Sequence, residues 1–238
     1  MSHRANSSVM MKYVFICCVL VAGCRQPDHP PTSTSTERQA TPLAPYAAVK
    51  KTLANEKKKL AVQYPVVTGP TAALTNFWVK QVGTELYQQW HQTPWDFNGT
   101  TEKPRDGAIA CGYFVTTVLR DMGVKINRSK LAICPSLTMM KTLVPGQKVS
   151  NLSYLSFDAF NQTIQQAGKG VYIIGLDFHT GFIINDGREN WFLHSNYIKR
   201  QGVVKEVLLS SSALKSSKTR WVVSLTKDRD FLRGWLKG

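Results

Sequence analysis

Between Thr71 and Trp90 the apolar residues Leu74, Trp78, Val79, Val82, Leu86 and Trp90 recur mostly at steps of three and four. That spacing stacks them on one face of a helix, with Trp78 and Trp90 as core residues. A second helix is predicted before it, over Tyr46 to Val62, a stretch rich in Ala, Lys and Leu. A turn-rich segment, Thr93 to Gly107, leads into Cys111 to Met122, where Phe114, Val115, Val118 and Leu119 make one apolar face and Gly123 supplies a C-cap. After an irregular middle and a short helix over Phe157 to Gln166 the period changes. Strands are predicted at Gly170 to Leu176, His179 to Ile184, Asn190 to His194, Val203 to Leu209 and Arg220 to Leu225. The Asn185-Asp186-Gly187 turn joins two of them. Helices first and an antiparallel sheet afterwards is the order of an α+β domain, N-terminal helices packed on the sheet, spanning residues 46–238.

The residues before 46 follow another pattern. Tyr13 to Cys24 is an apolar run behind Lys12, too short to span a bilayer and the right length for a signal-peptide core. Met10 or Met11 is its expected start, since Met1 to Val9 is polar. The run ends in Val21-Ala22-Gly23-Cys24, which resembles the bacterial lipoprotein box. The resemblance implies that residues 1–23 are removed and that lipidated Cys24 anchors the protein to a membrane of the cell envelope, facing the periplasm or the cell surface. Residues 24–45 are then a linker, dominated by Pro, Thr, Ser and Gln with almost nothing to bury.

The 238 residues are 43% hydrophobic and 19% charged, which excludes disorder of the whole chain. Thirty Lys and Arg face fifteen Asp and Glu, a net charge of +15. Residues 1–23 hold Arg4, Lys12 and no acid, so 28 basic residues still face 15 acidic ones in the exported part, a net +13. Such a charge favours an anionic partner. Export and the lack of a recognisable binding module argue against nucleic acid, leaving wall polymer or a membrane surface. Lys50, Lys51, Lys57, Lys58 and Lys59 read as a solvated face of the first helix. The five Cys make neither a disulfide framework nor a zinc site, since no two have a C-x-x-C spacing. Cys134, before Pro135, reads as a free buried thiol.

Cys111 is different because it opens a helix. Unpaired N–H groups and the helix dipole at that position favour a thiolate, so Cys111 is expected to react readily near pH 6 and Cys134 is not. A thiolate becomes a hydrolytic nucleophile beside an imidazole that a further group orients. His179 begins one predicted strand and His194 ends the next, so the hairpin sets them side by side. Asp177, two residues before His179, is the rival orienting group.

Four segments in order resemble the NlpC-type cell-wall cysteine peptidases of papain-like fold. They are Thr93-Pro94-Trp95-Asp96-Phe97-Asn98-Gly99-Thr100, Ala110-Cys111-Gly112-Tyr113-Phe114-Val115, His179-Thr180-Gly181-Phe182-Ile183 and Phe192-Leu193-His194-Ser195. The resemblance covers about residues 90–200. It implies Cys111 as nucleophile, His179 as general base and acid, His194 as the residue that orients it, and peptidoglycan or muropeptides as substrate, with no metal or organic cofactor. Trp95 stands where the family usually has a tyrosine at the site, and is expected to give an oxyanion contact or to wall the groove. The family's Asp-Cys-Ser reads Ala110-Cys111-Gly112, which removes the groups that often hold a free stem-peptide amine. A different amide, between muramyl sugar and L-Ala or in a cross-bridge, therefore enters consideration. The alternatives are a catalytically silent lipoprotein that binds wall peptides or a protein partner in the same groove, and an acyltransferase using the same residues.

Overall fold

The computed structural model describes residues 43–66 and 69–238; the signal peptide, Cys24 and nearly all of the linker lie outside the described residues. The first helix, α1 (Tyr46–Gln63), buries only Leu53 fully. Its lysines do not all face solvent as the sequence suggests. Lys57 Nζ donates to the Gly123 carbonyl at 2.8 Å and lies over the Trp235 ring, clamping α1 to the end of a later helix. The next apolar face is built as its spacing predicts. α2 (Ala72–Lys80), N-capped by Thr71, continues through a π-helical stretch, Gln81–Leu86, into α3 (Tyr87–Trp90). Leu74, Trp78, Val82, Leu86 and Trp90 are all fully buried. Within the π-helical stretch the Gly83 carbonyl accepts from Lys205 Nζ at 2.8 Å, tying this helix to the far edge of the sheet.

α4 (Cys111–Asp121) is followed by Gly123, whose φ of +82° gives the left-handed turn its C-cap requires. Two helices, α5 (Arg128–Ala132) and α6 (Ser136–Leu143), occupy the middle that the sequence leaves irregular. At five and eight residues they are too short to display a period. Then come β1 (Ser150–Asn151), α7 (Phe157–Ala167), β2 (Gly170–Gly175), β3 (Thr180–Asn185), β4 (Asn190–Asn196), β5 (Gly202–Val207), α8 (Ser212–Ser216), β6 (Trp221–Ser224) and α9 (Arg229–Lys237).

The six strands form one antiparallel sheet in the order β1-β6-β2-β3-β4-β5. Val171, Ile173, Phe182, Ile184 and Leu193 join the core formed with α2, α4 and α9. The alternate residues Tyr172, Ile174, Ile183 and Phe192 pack instead with Phe160 and Ile164 of α7 and Leu214 of α8. A sheet covered on both faces explains why β2 and β3 read as continuous apolar runs rather than alternating ones. The architecture is thus a mixed α+β fold with helices on both faces. α9, which the strand reading stops short of, starts at the N-cap Asp228 and buries Phe231, Leu232, Trp235 and Leu236 against Trp78 and Phe77.

Candidate active site

The position of Cys111 is fixed from the loop before it. Ile109 N–H donates to the Pro94 carbonyl at 2.9 Å and Ala110 N–H to that of Gly99 at 2.8 Å. The buried Ser195 hydroxyl of β4 donates to the Ile109 carbonyl at 2.7 Å, so the sheet itself holds the chain two residues before α4 begins. Ala110 is extended and offers no side-chain cap, and Cys111 is the first residue of α4. Its neighbour Gly112 runs so close to α5 that a Cβ there would lie 2.1 Å from the Ala132 carbonyl oxygen. A serine side chain at this position would collide with the α5 backbone.

The two histidines meet as the hairpin predicts. His179 lies just before β3 rather than in it, His194 lies in β4, and His179 Nε2 is 2.7 Å from His194 Nδ1. Gly181 permits the approach, since a Cβ at that position would sit 2.8 Å from His194 Cβ and 2.7 Å from the Phe192 ring. The Phe192 ring stacks on the His194 ring at 3.9 Å. His194 Nε2 in turn lies 3.1 Å from Glu206 Oε1 on β5. Glu206, which the sequence reading misses, belongs to the same network. The register pairs Phe192 with Glu206 and His194 with Val204, so Glu206 reaches His194 diagonally across one strand spacing. The sequence signal was a lone acid in Val203-Val204-Lys205-Glu206-Val207, legible only once the register is known. Asp177, the rival, is exposed and accepts from Lys218 N–H at 2.8 Å, turned toward the loop before β6.

The hydrogen-bond chain sets the tautomers. Burial pushes the Glu206 carboxyl up, but bonds from His194 and Ser211 outweigh it and hold the group below its usual range. An ionised carboxylate only accepts, so His194 carries its proton on Nε2, His194 Nδ1 accepts, and His179 donates from Nε2. The Nδ1 lone pair of His179 remains for chemistry. Burial, then the repulsion of His194, holds His179 well below 6.5, and burial lowers His194 against the pull of Glu206.

Cys111 departs from the sequence expectation. Burial pushes its thiol above 9.0, and the N–H groups of Thr180, Gly112 and Cys111 itself pull down without overcoming it. The helix N-terminus acts in the expected direction, but desolvation wins. Burial thus favours the neutral thiol at Cys111 and the neutral imidazole at His179. Thr180, whose N–H acts on the sulfur, follows His179 directly in the chain.

Cys111 and His179 line one cleft of about 730 Å³, with Trp95 in its wall. Trp95 packs toward Tyr197 at 6.2 Å. Cys134 is a free thiol but only partly buried, and its Sγ donates to the Lys130 carbonyl at 3.2 Å at the end of α5. Cys24 lies outside the described residues. Compared with known proteins, the chain matches no protein family, no curated protein and no solved structure.

Proposed function

We propose that the chain is a papain-like cysteine hydrolase, anchored in the bacterial envelope through Cys24, that cleaves an amide bond of peptidoglycan or its fragments. The observation that carries this reading is the chain His179–His194–Glu206, whose first member lines the same cleft as a helix-opening cysteine. In the reaction, His179 Nδ1 takes the proton from Cys111 Sγ as the sulfur bonds to the carbonyl carbon. The Cys111 N–H, at the start of α4 where no side chain caps the helix, is placed to stabilise the oxyanion of the tetrahedral intermediate. His179 then gives its proton to the leaving amine, the C–N bond breaks, and an acyl-enzyme remains. Water, deprotonated by His179, releases the acid and restores the thiol. His194 and Glu206 stabilise the imidazolium formed in each half. The peptidoglycan substrate rests on the four-segment resemblance and on the basic surface of an exported protein.

One observation favours a second reading. A thiol pushed up by burial is a poor resting nucleophile, as expected of a silent descendant that binds wall fragments. Mass spectrometry of purified peptidoglycan and soluble muropeptides separates the two. New fragments made by the wild type and absent with Cys111→Ala are expected; an unchanged profile, with both forms bound to the wall, supports the binder.

A further inference from the structure

Among the described residues the His179 ring makes one hydrogen bond, the 2.7 Å contact of Nε2 with His194, and one bond does not fix a ring's orientation. Three rings close on it instead, Phe192 at 6.1 Å, His194 at 4.9 Å and Tyr197 at 5.1 Å between centres. Phe192 and His194 are fully buried in β4, so the sheet places them. Tyr197 lies one residue past β4 and is 39% exposed, so its position has another source. That source is a strained turn. Lys199 and Arg200 both have φ of +51°, a left-handed conformation that residues bearing a Cβ hold when their surroundings impose it. The buried Asn196 side chain accepts from Ile198 N–H at 2.9 Å and donates to Gln201 Oε1 at 2.7 Å, and Arg200 N–H donates to the Tyr197 carbonyl at 3.1 Å. The far end of the turn is pinned to the segment leading to Trp95. Gly202, with φ of +75°, passes so close that a Cβ would lie 2.2 Å from the Thr93 carbonyl oxygen, and Val203 N–H donates to that oxygen at 2.9 Å. Resting on the reading of His179 as the catalytic base, we propose that Tyr197 is a positioning residue whose ring, held by this turn, keeps the His179 imidazole in one orientation and out of water.

The role does not depend on where the substrate lies. Cys111 and His179 line two clefts, one bordered by Tyr197 and the other by Asp177, and Tyr197 acts on the base that both share. The rings of Tyr197 and His179 meet edge to face at 65°, a contact that needs the aromatic ring and not the hydroxyl. Phenylalanine should therefore serve in its place. Truncating the side chain would admit water to an imidazole that is 6% exposed, and hydration favours the charged form, so the His179 pKa would climb back toward 6.5. The other titratable groups that face His179 stay as they are. These are His194 on β4, with Glu206 behind it on β5, and Cys111 on α4, whereas Asp177 is turned to the Lys218 N–H.

The test compares full-length wild type, Tyr197→Phe and Tyr197→Ala by two independent readouts. Nitrogen-15 NMR of labelled histidines follows the His179 titration without any turnover. In Tyr197→Ala the His179 pKa is expected to rise toward 6.5, and in Tyr197→Phe to stay at the wild-type value. On soluble muropeptides Tyr197→Ala should lower kcat about tenfold, with KM within about threefold of wild type and the acid limb of the pH profile moved up in step with the NMR value. Tyr197→Phe should keep the wild-type kcat and limb. Should Tyr197→Ala fail to fold, Tyr197→Leu keeps the apolar bulk without a ring, and the same lowered kcat and raised pKa are expected of it. An unmoved His179 titration in the variant without a ring overturns the proposal. So does a rise in KM alone, which would make Tyr197 only a wall of the cleft, and so do equal losses in Tyr197→Phe and Tyr197→Ala, which would assign the effect to the hydroxyl. Muropeptides left uncut by the wild type would sink the hydrolase reading instead, and the NMR comparison would then decide by itself whether Tyr197 shields His179.

Discussion

Glu206 Oε1 lies 3.1 Å from Nε2 of a fully buried His194, so the far end of the histidine pair is closed by a carboxylate. This contact decides which nitrogen of each ring carries the proton and leaves His179 Nδ1 free. Glu206→Gln keeps an acceptor but loses the charge, and a charge-assisted bond is about twice as strong as a neutral one. The expected result is a fall in kcat of about tenfold, with KM little changed and the acid limb of the pH profile moved lower, since Glu206 raises the pKa of His194. Glu206→Ala leaves the buried N–H of His194 without a partner and should also cost about 1–3 kcal/mol of stability, read by urea unfolding. A Gln variant with full kcat and an unmoved acid limb would show that Glu206 has no part in positioning.

The neutral thiol and imidazole predict a distinctive pH response. His179 is held below 6.5 and Cys111 above 9.0, so both are in their starting forms throughout that interval. A flat kcat/KM from below pH 6.5 to above pH 9.0 follows, along with an iodoacetamide rate at Cys111 that climbs steadily from pH 6 to 9. An alkylation plateau near pH 6 would instead reveal a resting thiolate and contradict the burial argument. Stability carries the same signs. Below pH 6.5 the unfolded chain binds protons that buried His179 and His194 resist, so stability falls as the pH drops, by at most about 1.4 kcal/mol per unit for each group. Above 9.0 the unfolded thiol ionises first, and stability falls again as the pH rises. Urea midpoints at pH 5, 7.5 and 10 check both limbs, and the His179→Gln/His194→Gln variant should flatten the acid one.

Much of this arrangement is readable from the chain because local rules and tertiary packing agree. The spacing of Leu74, Trp78, Val82, Leu86 and Trp90 gives a buried helix face, and Asn185-Asp186-Gly187 gives the hairpin that joins His179 to His194. The unreadable parts depend on neighbours distant in sequence. Glu206 meets His194 only through the β4–β5 register, Lys57 leaves its lysine-rich face to cap α4, and desolvation of Cys111 comes from packing that no helix-terminus rule contains. Helices of five and eight residues, α5 and α6, have too few turns to show a face, yet α5 borders the cleft through Ala132.

The backbone of α5 also determines what can stand beside the nucleophile. A Cβ at residue 112 would meet the Ala132 carbonyl oxygen at 2.1 Å and the Ala132 carbonyl carbon at 3.1 Å, and neither is a flexible side-chain end. Gly112→Ser is therefore expected to lose stability at or above the upper end of the roughly 1–3 kcal/mol typical of overpacking. It should not confer cleavage of substrates with a free amine, because accommodating the serine displaces α5 from the cleft wall. A thermal scan showing an unchanged midpoint, or new activity on such substrates, would count against this account.

Arg128 does for the loop before α4 what Glu206 does for the histidines. Its Nε donates to Thr117 Oγ1 at 2.7 Å, and its Nη2 donates to the carbonyls of Thr100 and Thr101 at 2.9 and 3.0 Å. The guanidinium also lies 4.8 Å from the Tyr113 ring centre, and Nη1 is 3.4 Å from Glu102. One buried fork thus joins α5, α4 and the loop carrying Trp95 and Thr100, whose side chains line the cleft. Arg128→Met keeps the packing bulk and removes every donor, leaving two carbonyls and a hydroxyl to find new partners. The expected cost is about 3 kcal/mol. If the loop serves to hold the cleft wall, KM should rise more than kcat falls, and hydrogen exchange should quicken at Thr101, whose N–H bonds the Ala108 carbonyl, before it quickens in β2 or β3. An equal acceleration across the sheet would mean that Arg128 supports the whole fold rather than the cleft wall.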